Sequence, residues 1–110
     1  MLNKVHLIGN VVQDPEIHSY SDGSFFLKFP IVTIDNIVSK SKEKKVLTEV
    51  HTIKMLNAGH FLKKNICRGK LVYVEGKIKT EKDPVNNTSE VIIMAYNTRI
   101  LEEKKEGRMW

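Results

Sequence analysis

Lys40, Lys42, Lys44 and Lys45 crowd into one short segment, Ser39-Lys40-Ser41-Lys42-Glu43-Lys44-Lys45, interrupted only by serine and a single acid. Ammonium groups spaced in this way can each neutralise a phosphate and release its condensed counterions. The chemistry on offer is therefore polyanion binding. The plainer reading is a solvated loop whose lysines serve solubility. Further along, Lys54 alternates with Val50, Thr52 and Leu56, and Lys77 alternates with Lys79. On strands, such alternation puts each set on one face, and together they would form a basic groove across a sheet. Only three of the 18 basic residues are arginine: Arg68, Arg99 and Arg108. Paired base-edge reading by the guanidinium fork is thus scarce, and lysine contact with phosphate is the natural mode. Binding without sequence preference is the expectation.

Catalytic patterns are missing. The four histidines His6, His18, His51 and His60 are scattered without metal-ligand spacing. The chain has no glycine-rich phosphate loop, nucleophile motif or compact acid–base set. No metal, no cofactor and no enzymatic activity are expected. A nuclease in particular would require clustered carboxylates to hold its metal. The single cysteine, Cys67, cannot form an intrachain disulfide, and beside Ile66 at a helix end it reads as a buried structural thiol.

The elements that must carry these lysines are mostly strands. Residues 4–12 are rich in aliphatic and β-branched types and are interrupted by Gly9, the mark of a bulge or a barrel corner. Asp14-Pro15 and Ser21-Asp22-Gly23-Ser24 read as turns. Residues 25–35 form a second strand, with Phe25, Leu27, Phe29 and Ile31 on one face and Phe26, Val32 and Ile34 on the other. Pro30 within it argues for an edge or irregular position. Residues 39–45 read as a loop and 46–56 as a third strand, with Leu47, Glu49, His51, Ile53 and Met55 opposite the face of Val50 and Lys54. The apolar stripe Ala58, Phe61, Leu62 and Ile66 predicts one helix over 58–67, with Asn57 as cap and Gly69 at the exit. Residues 70–80 follow as a fourth strand with Val72, Val74 and Ile78 inward, 81–89 as a loop, and 90–101 as a fifth strand. Of the aromatic side chains Phe25, Phe26, Phe29, Phe61, Tyr73 and Tyr96, most read as core, whereas Tyr20 beside its turn reads as exposed. Five strands with a helix between the third and fourth is the order of the OB-fold, though the pattern alone also fits other small β-barrels.

At 110 residues and net charge +5 the chain is the size of one domain, with a basic surplus that suits a polyanionic partner. Such a domain buries roughly 60–70% of its unfolded surface, so its core is thin and oligomerisation would add stability. No apolar run approaches the roughly 18 residues of a membrane span, and no membrane partner is expected. Strand pattern begins at once, leaving no room for a leader, so a cytoplasmic, nucleoid-associated location is expected, with an organellar matrix as the alternative.

Several segments, taken in order, resemble the bacterial-type single-stranded DNA-binding protein family. Leu2-Asn3-Lys4-Val5-His6-Leu7-Ile8-Gly9-Asn10 is similar to that family's opening strand, and Asp14-Pro15-Glu16-Ile17 to the turn after it. Thr48-Glu49-Val50-His51 resembles its third-strand motif Thr-Glu-Trp-His. Arg68-Gly69-Lys70-Leu71-Val72-Tyr73-Val74-Glu75-Gly76-Lys77-Ile78 resembles the helix exit and fourth strand. The likeness spans residues 1–101, implying an all-β, five-stranded OB-fold barrel over 1–101 and a short charged tail over 102–110.

The resemblance implies single-stranded DNA binding in replication, recombination or repair, with assembly as a homotetramer. It places basic DNA contacts at or near Lys4, Lys40, Arg68, Lys79 and Lys82. The lysine patterns above add Lys42, Lys44, Lys45, Lys54 and Lys77. His51 matches a histidine of the family's subunit interface. The departures are specific. Four aromatic positions on which relatives stack bases are occupied here by Ile37, Val50, Leu56 and Asp83. Each lost platform removes about 1–3 kcal/mol per base. Val50 and Leu56 can still touch base faces, whereas Asp83 would repel the backbone. The mixed-charge end Glu102 to Trp110 does not match the family's acidic, partner-recruiting tail. These departures leave open an alternative resembling primosomal replication protein N, a dimeric OB-fold module that acts through replication-protein contacts.

Overall fold

The apolar alternation of residues 25–31 buries most of one strand face: Leu27, Phe29 and Ile31 are all at most 1% exposed, with Phe25 half-buried at its start. In the computed structural model, which describes residues 1–101, that strand belongs to a barrel. The elements run β1 (Val5–Val11), β2 (Glu16–Ser19), β3 (Phe25–Val38), β4 (Lys44–Leu56), α1 (Gly59–Asn65), β5 (Leu71–Asp83) and β6 (Thr88–Leu101). The expected tail over 102–110, with Trp110, lies outside the described residues.

Neighbouring strands are ordered β1-β5-β6-β4-β3-β2, and an additional β1–β3 pairing closes the ring. Five strands make the closed barrel, as expected, with β2 pairing along the outer edge of β3 through Ser19 opposite Phe25 and Glu16 opposite Lys28. The short β2 was not foreseen, because four residues between two turns leave little alternation to read. All contacts in the ring are antiparallel except β4–β6. Leu27, Phe29, Ile31, Ile53, Val72, Val74 and Ile93 fill the interior.

Closure depends on two glycines. At Gly9, β1 passes from β5 to β3, and a Cβ there would lie 2.4 Å from the Val32 carbonyl oxygen. The predicted barrel corner is therefore a close backbone crossing. At Gly76 the β5–β6 register slips: Glu75 faces Asn97, but Gly76 faces Ala95. Tyr96 is left unpaired and 60% exposed, against the expectation of core packing. A Cβ on Gly76 would lie 2.3 Å from the Met94 carbonyl oxygen. Pro30 also finds a reason. It lies in β3 between the stretch paired with β2 and the stretch paired with β1, where no ladder bond needs its missing N–H.

Both long hairpins outrun the barrel. β3 and β4 stay in register as far as Val38 opposite Lys44, and β5 and β6 as far as Asp83 opposite Thr88. The loop expected over 39–45 is a tight turn that becomes strand only at Lys44 and Lys45, whereas that over 81–89 is strand except at the turn 84–87; Lys42 and Asn87 take positive φ. At the second turn the Asp83 carboxylate accepts the backbone N–H of Val85 and Asn86 and the Asn86 side-chain amide. These bonds, the amide first, hold its pKa below the usual carboxylate range. Ile78, expected inside, is 51% exposed because β5 has by then run past its β1 neighbour.

The helix is shorter than the stripe predicted. Leu62 and Ile66 pack on the core, but Phe61, about 100° around the helix from Leu62, is 67% exposed. Asn57 does not cap it; at positive φ, its Oδ1 instead accepts the Phe25 backbone N–H at 3.4 Å. Ile66 takes the buried place at the helix exit, so Cys67, expected to be buried, points outward and is exposed.

Candidate nucleic-acid interface

Cross-strand register assembles a surface that no single segment contains. Glu16 stands opposite Lys28, Lys28 opposite Lys54, Lys54 opposite Met94, and Met94 opposite Lys77. Laterally paired residues share a face of the sheet, so three lysines lie in one row across β3, β4, β6 and β5. The neighbouring row on one side is His18–Phe26–Leu56. On the other side come Pro30 with Thr52 and Val32 with Val50. Val50 and Leu56, 62% and 54% exposed, therefore flank the lysine row on the outer face, as the strand parity predicted.

The row is internally compensated. Lys28 Nζ donates to Glu90 Oε1 at 2.9 Å, and Lys54 Nζ to Glu81 Oε2 at 2.8 Å. Like charges face each other across each hairpin, Lys28 opposite Lys54 and Glu81 opposite Glu90, so the two ion pairs join the hairpins. Ile92 is 1% exposed although it lies on this outer face, away from the core cluster. The hydrogen bond to Glu90, chiefly, raises the Lys28 pKa above its ordinary value. A polyanion must compete with Glu81 and Glu90 for these two ammonium groups. Lys28, Glu81 and Glu90 were not singled out in the sequence. The pairing of Lys28 with Lys54 depends on the hairpin register.

The remaining expected contacts scatter around this face. Lys77 and Lys79 are exposed on β5, and Lys82 is exposed near the hairpin end. Lys40 and Lys42 occupy the β3–β4 turn. Alternation sends Lys44 to the side of Val50 and Lys45 to the opposite side, so the dense lysine segment divides between faces. Lys4 is tied to Glu75 at 3.2 Å, which raises its pKa. Glu75 is held low, first by the Asn97 amide and then by Lys4. Arg68 is exposed, its backbone N–H donating to Asp14 Oδ1 at 2.9 Å beside the end of β1. Of the other former platform positions, Ile37 lies opposite Lys45 on the hairpin arm and Asp83 is spent on its turn. His51, half-buried where β4 leaves the barrel, shares a 2.9 Å hydrogen bond between its Nε2 and Thr33 Oγ1.

A closed five-stranded barrel of this order, with a helix between its third and fourth barrel strands, is an OB-fold. The chain belongs to the single-strand binding protein family, whose model matches residues 2–101. It is 32% identical over 111 residues to a single-stranded DNA-binding protein of Rickettsia typhi, covering 91% of this chain and 71% of the relative. To the protein of that name from Rhizobium meliloti it is 33% identical over 107 residues, covering 90% of this chain and 62% of the relative. Among solved structures it is similar to a Plasmodium falciparum SSB complex with ssDNA, with a TM-score of 0.82 at 25% identity over 93% of this chain and 96% of that one. A deletion mutant of the single-stranded DNA binding protein from Thermus aquaticus shares the fold, with a TM-score of 0.82 at 24% identity. The alignment covers 97% of this chain but only 53% of the Thermus chain.

Proposed function

We propose that this chain binds single-stranded DNA without reading its sequence, as a binding protein of replication, recombination or repair rather than as an enzyme. The observation that carries this reading is the outer face of β3, β4, β6 and β5. Three lysines stand there in one row, with exposed apolar side chains at Val50 and Leu56 beside them. Lysine ammoniums grip phosphate as point charges, and the lack of arginine forks on this row removes the usual means of base-edge reading. Lys40, Lys42 and Lys44 along the hairpin arm and Lys77 and Lys79 on β5 extend the track, while alternation turns Lys82 to the other side of its arm. The family and the DNA-bound Plasmodium neighbour support the same reading.

Anisotropy of labelled oligo-dT tests it. Single strands are expected to bind in preference to duplex. Affinity should fall by roughly 300-fold or more between about 50 mM and about 200 mM salt if six or more phosphates are neutralised. A salt-independent affinity would remove the lysine–phosphate mechanism.

The proposal includes assembly with further copies of the chain, as a tetramer. Support comes from the family and from apolar side chains left uncovered on the barrel and hairpin arms, among them Ile8, Ile34, Ile37 and Leu47. His51, fixed by Thr33 at the base of the β3–β4 arm, is the residue assigned to the subunit interface. Light scattering is expected to return the mass of four chains. The mass of one chain would overturn the assembly. No helix among the described residues is long and apolar enough to cross a membrane.

A further inference from the structure

The row beside the lysines is aromatic, although the family's stacking positions are not. The Phe26 ring lies directly across β3–β4 from Leu56. On its other side, His18 of β2 stacks against it with ring centroids 4.6 Å apart and planes 14° from parallel. Tyr20 leans on the same ring at 5.9 Å and 45°. Lys54 Nζ sits 4.3 Å from the Phe26 centroid, which gives the ring a cationic neighbour as well. Phe26 is half-buried by these contacts, whereas Tyr20 is 51% exposed and the His18 side chain 50%. Two rings thus present open surface, and a third packs against both.

The cluster is held in place before any ligand arrives. Tyr20 opens the β2–β3 turn, where its N–H donates to the Ser24 carbonyl at 2.8 Å and its own carbonyl accepts the Gly23 N–H at 3.1 Å. Asp22 braces the turn by accepting both the backbone N–H and the hydroxyl of Ser24. Gly23, at φ 91, supplies the positive dihedral. A platform fixed in this way loses little conformational freedom on binding.

We propose that His18 and Tyr20, backed by Phe26, form a base-stacking site for single-stranded DNA, displaced two strands outward from Leu56. The site rests on the reading of the chain as a single-stranded DNA-binding protein. Its surroundings select the base rather than the phosphate. Glu16 lies 3.1 Å from His18 Nε2, and Glu81 and Glu90 occupy the nearby lysines. A phosphate would meet carboxylates here, whereas an uncharged base finds flat, polarisable ring faces. Leu56 extends the contact on the β4 side, so the aromatic surface missing from that position is supplied by the next strands across.

The test compares the full chain with Tyr20→Leu and Tyr20→Phe in anisotropy titrations of labelled oligo-dT across a salt series. Tyr20→Leu is expected to weaken binding by roughly 5- to 100-fold, the range of one lost stacking partner, with the slope of log affinity against log salt unchanged. Tyr20→Phe, which keeps the ring, should stay within about twofold of the parent. As a second readout, Tyr20→Trp in a Trp110→Phe background should lose fluorescence when oligo-dT binds, as a stacked indole does. If the parent binds and Tyr20→Leu binds equally well, the stacking site is overturned while the DNA-binding function stands. A weaker Tyr20→Leu with a shallower salt slope also overturns it, because that pattern marks a lost phosphate contact. If the parent does not bind oligo-dT, the function and the site fall together.

Discussion

Gly76→Ala is expected to destabilise the fold by about 3 kcal/mol or more, a large part of the stability of a domain this size. The added methyl would sit 2.3 Å from the Met94 carbonyl oxygen and 2.9 Å from Ala95 Cα, both backbone atoms. It could not be accommodated by a rotamer change. Relief would require β5 and β6 to separate at the register slip, where Glu75 faces Asn97 and Gly76 faces Ala95. The ladder there joins the barrel to the hairpin arm that carries Lys77 and Lys79. Gly23→Ala is the internal control. Gly23 has positive φ but open space around it, so its substitution should cost only about 1 kcal/mol, the backbone strain alone. Urea unfolding of the two variants separates the cases. A loss for Gly76→Ala no larger than that for Gly23→Ala would show that the strands do not approach so closely.

Val50→Trp should tighten binding to oligo-dT by roughly 5- to 100-fold, the range of one added base stack. Val50 is 62% exposed on the outer face, opposite Val32 and two positions along β4 from Thr52, which borders the lysine row. An indole there would lie over Val32 and Ile34 without entering the core, so thermal stability should change little. It would also add a platform on the side of the lysine row away from His18 and Phe26, letting successive bases stack on both flanks. An unchanged affinity, with the variant folded, would place the DNA path off this face and direct attention to the β5–β6 arm. Fluorescence quenching of the new indole would report contact even if the net affinity gain were small.

Period-two alternation was enough to read the barrel strands. The inward set Leu27, Phe29, Ile31 and Ile53 and the outward set Val50 and Leu56 follow from side chains that alternate sides of an extended chain. Gly9 also declared a backbone constraint locally, because a glycine within a strand pattern has few other uses. The ends of elements were less legible. Lys44, Lys45 and residues 81–83 are polar enough to read as loop, yet they are strand because an already formed hairpin offers each residue a ladder partner at little further entropic cost. Ile78 and Phe61 are apolar by type but exposed, because burial depends on whether another element arrives to cover them. Cys67 is exposed for the same reason: Ile66 occupies the one inward place at the helix exit.

The candidate site divides along the same line. Sequence by itself determined the types on offer: abundant lysine, scarce arginine, and aliphatic side chains where relatives stack bases. Those are properties of single residues, and folding does not alter them. Only the tertiary structure decided that Lys28, Lys54 and Lys77 share a row, that Glu81 and Glu90 hold two of them, and that His18, Tyr20 and Phe26 gather beside Leu56. Each of these depends on register between strands far apart in the chain. A slip of one residue would turn every side chain to the other face.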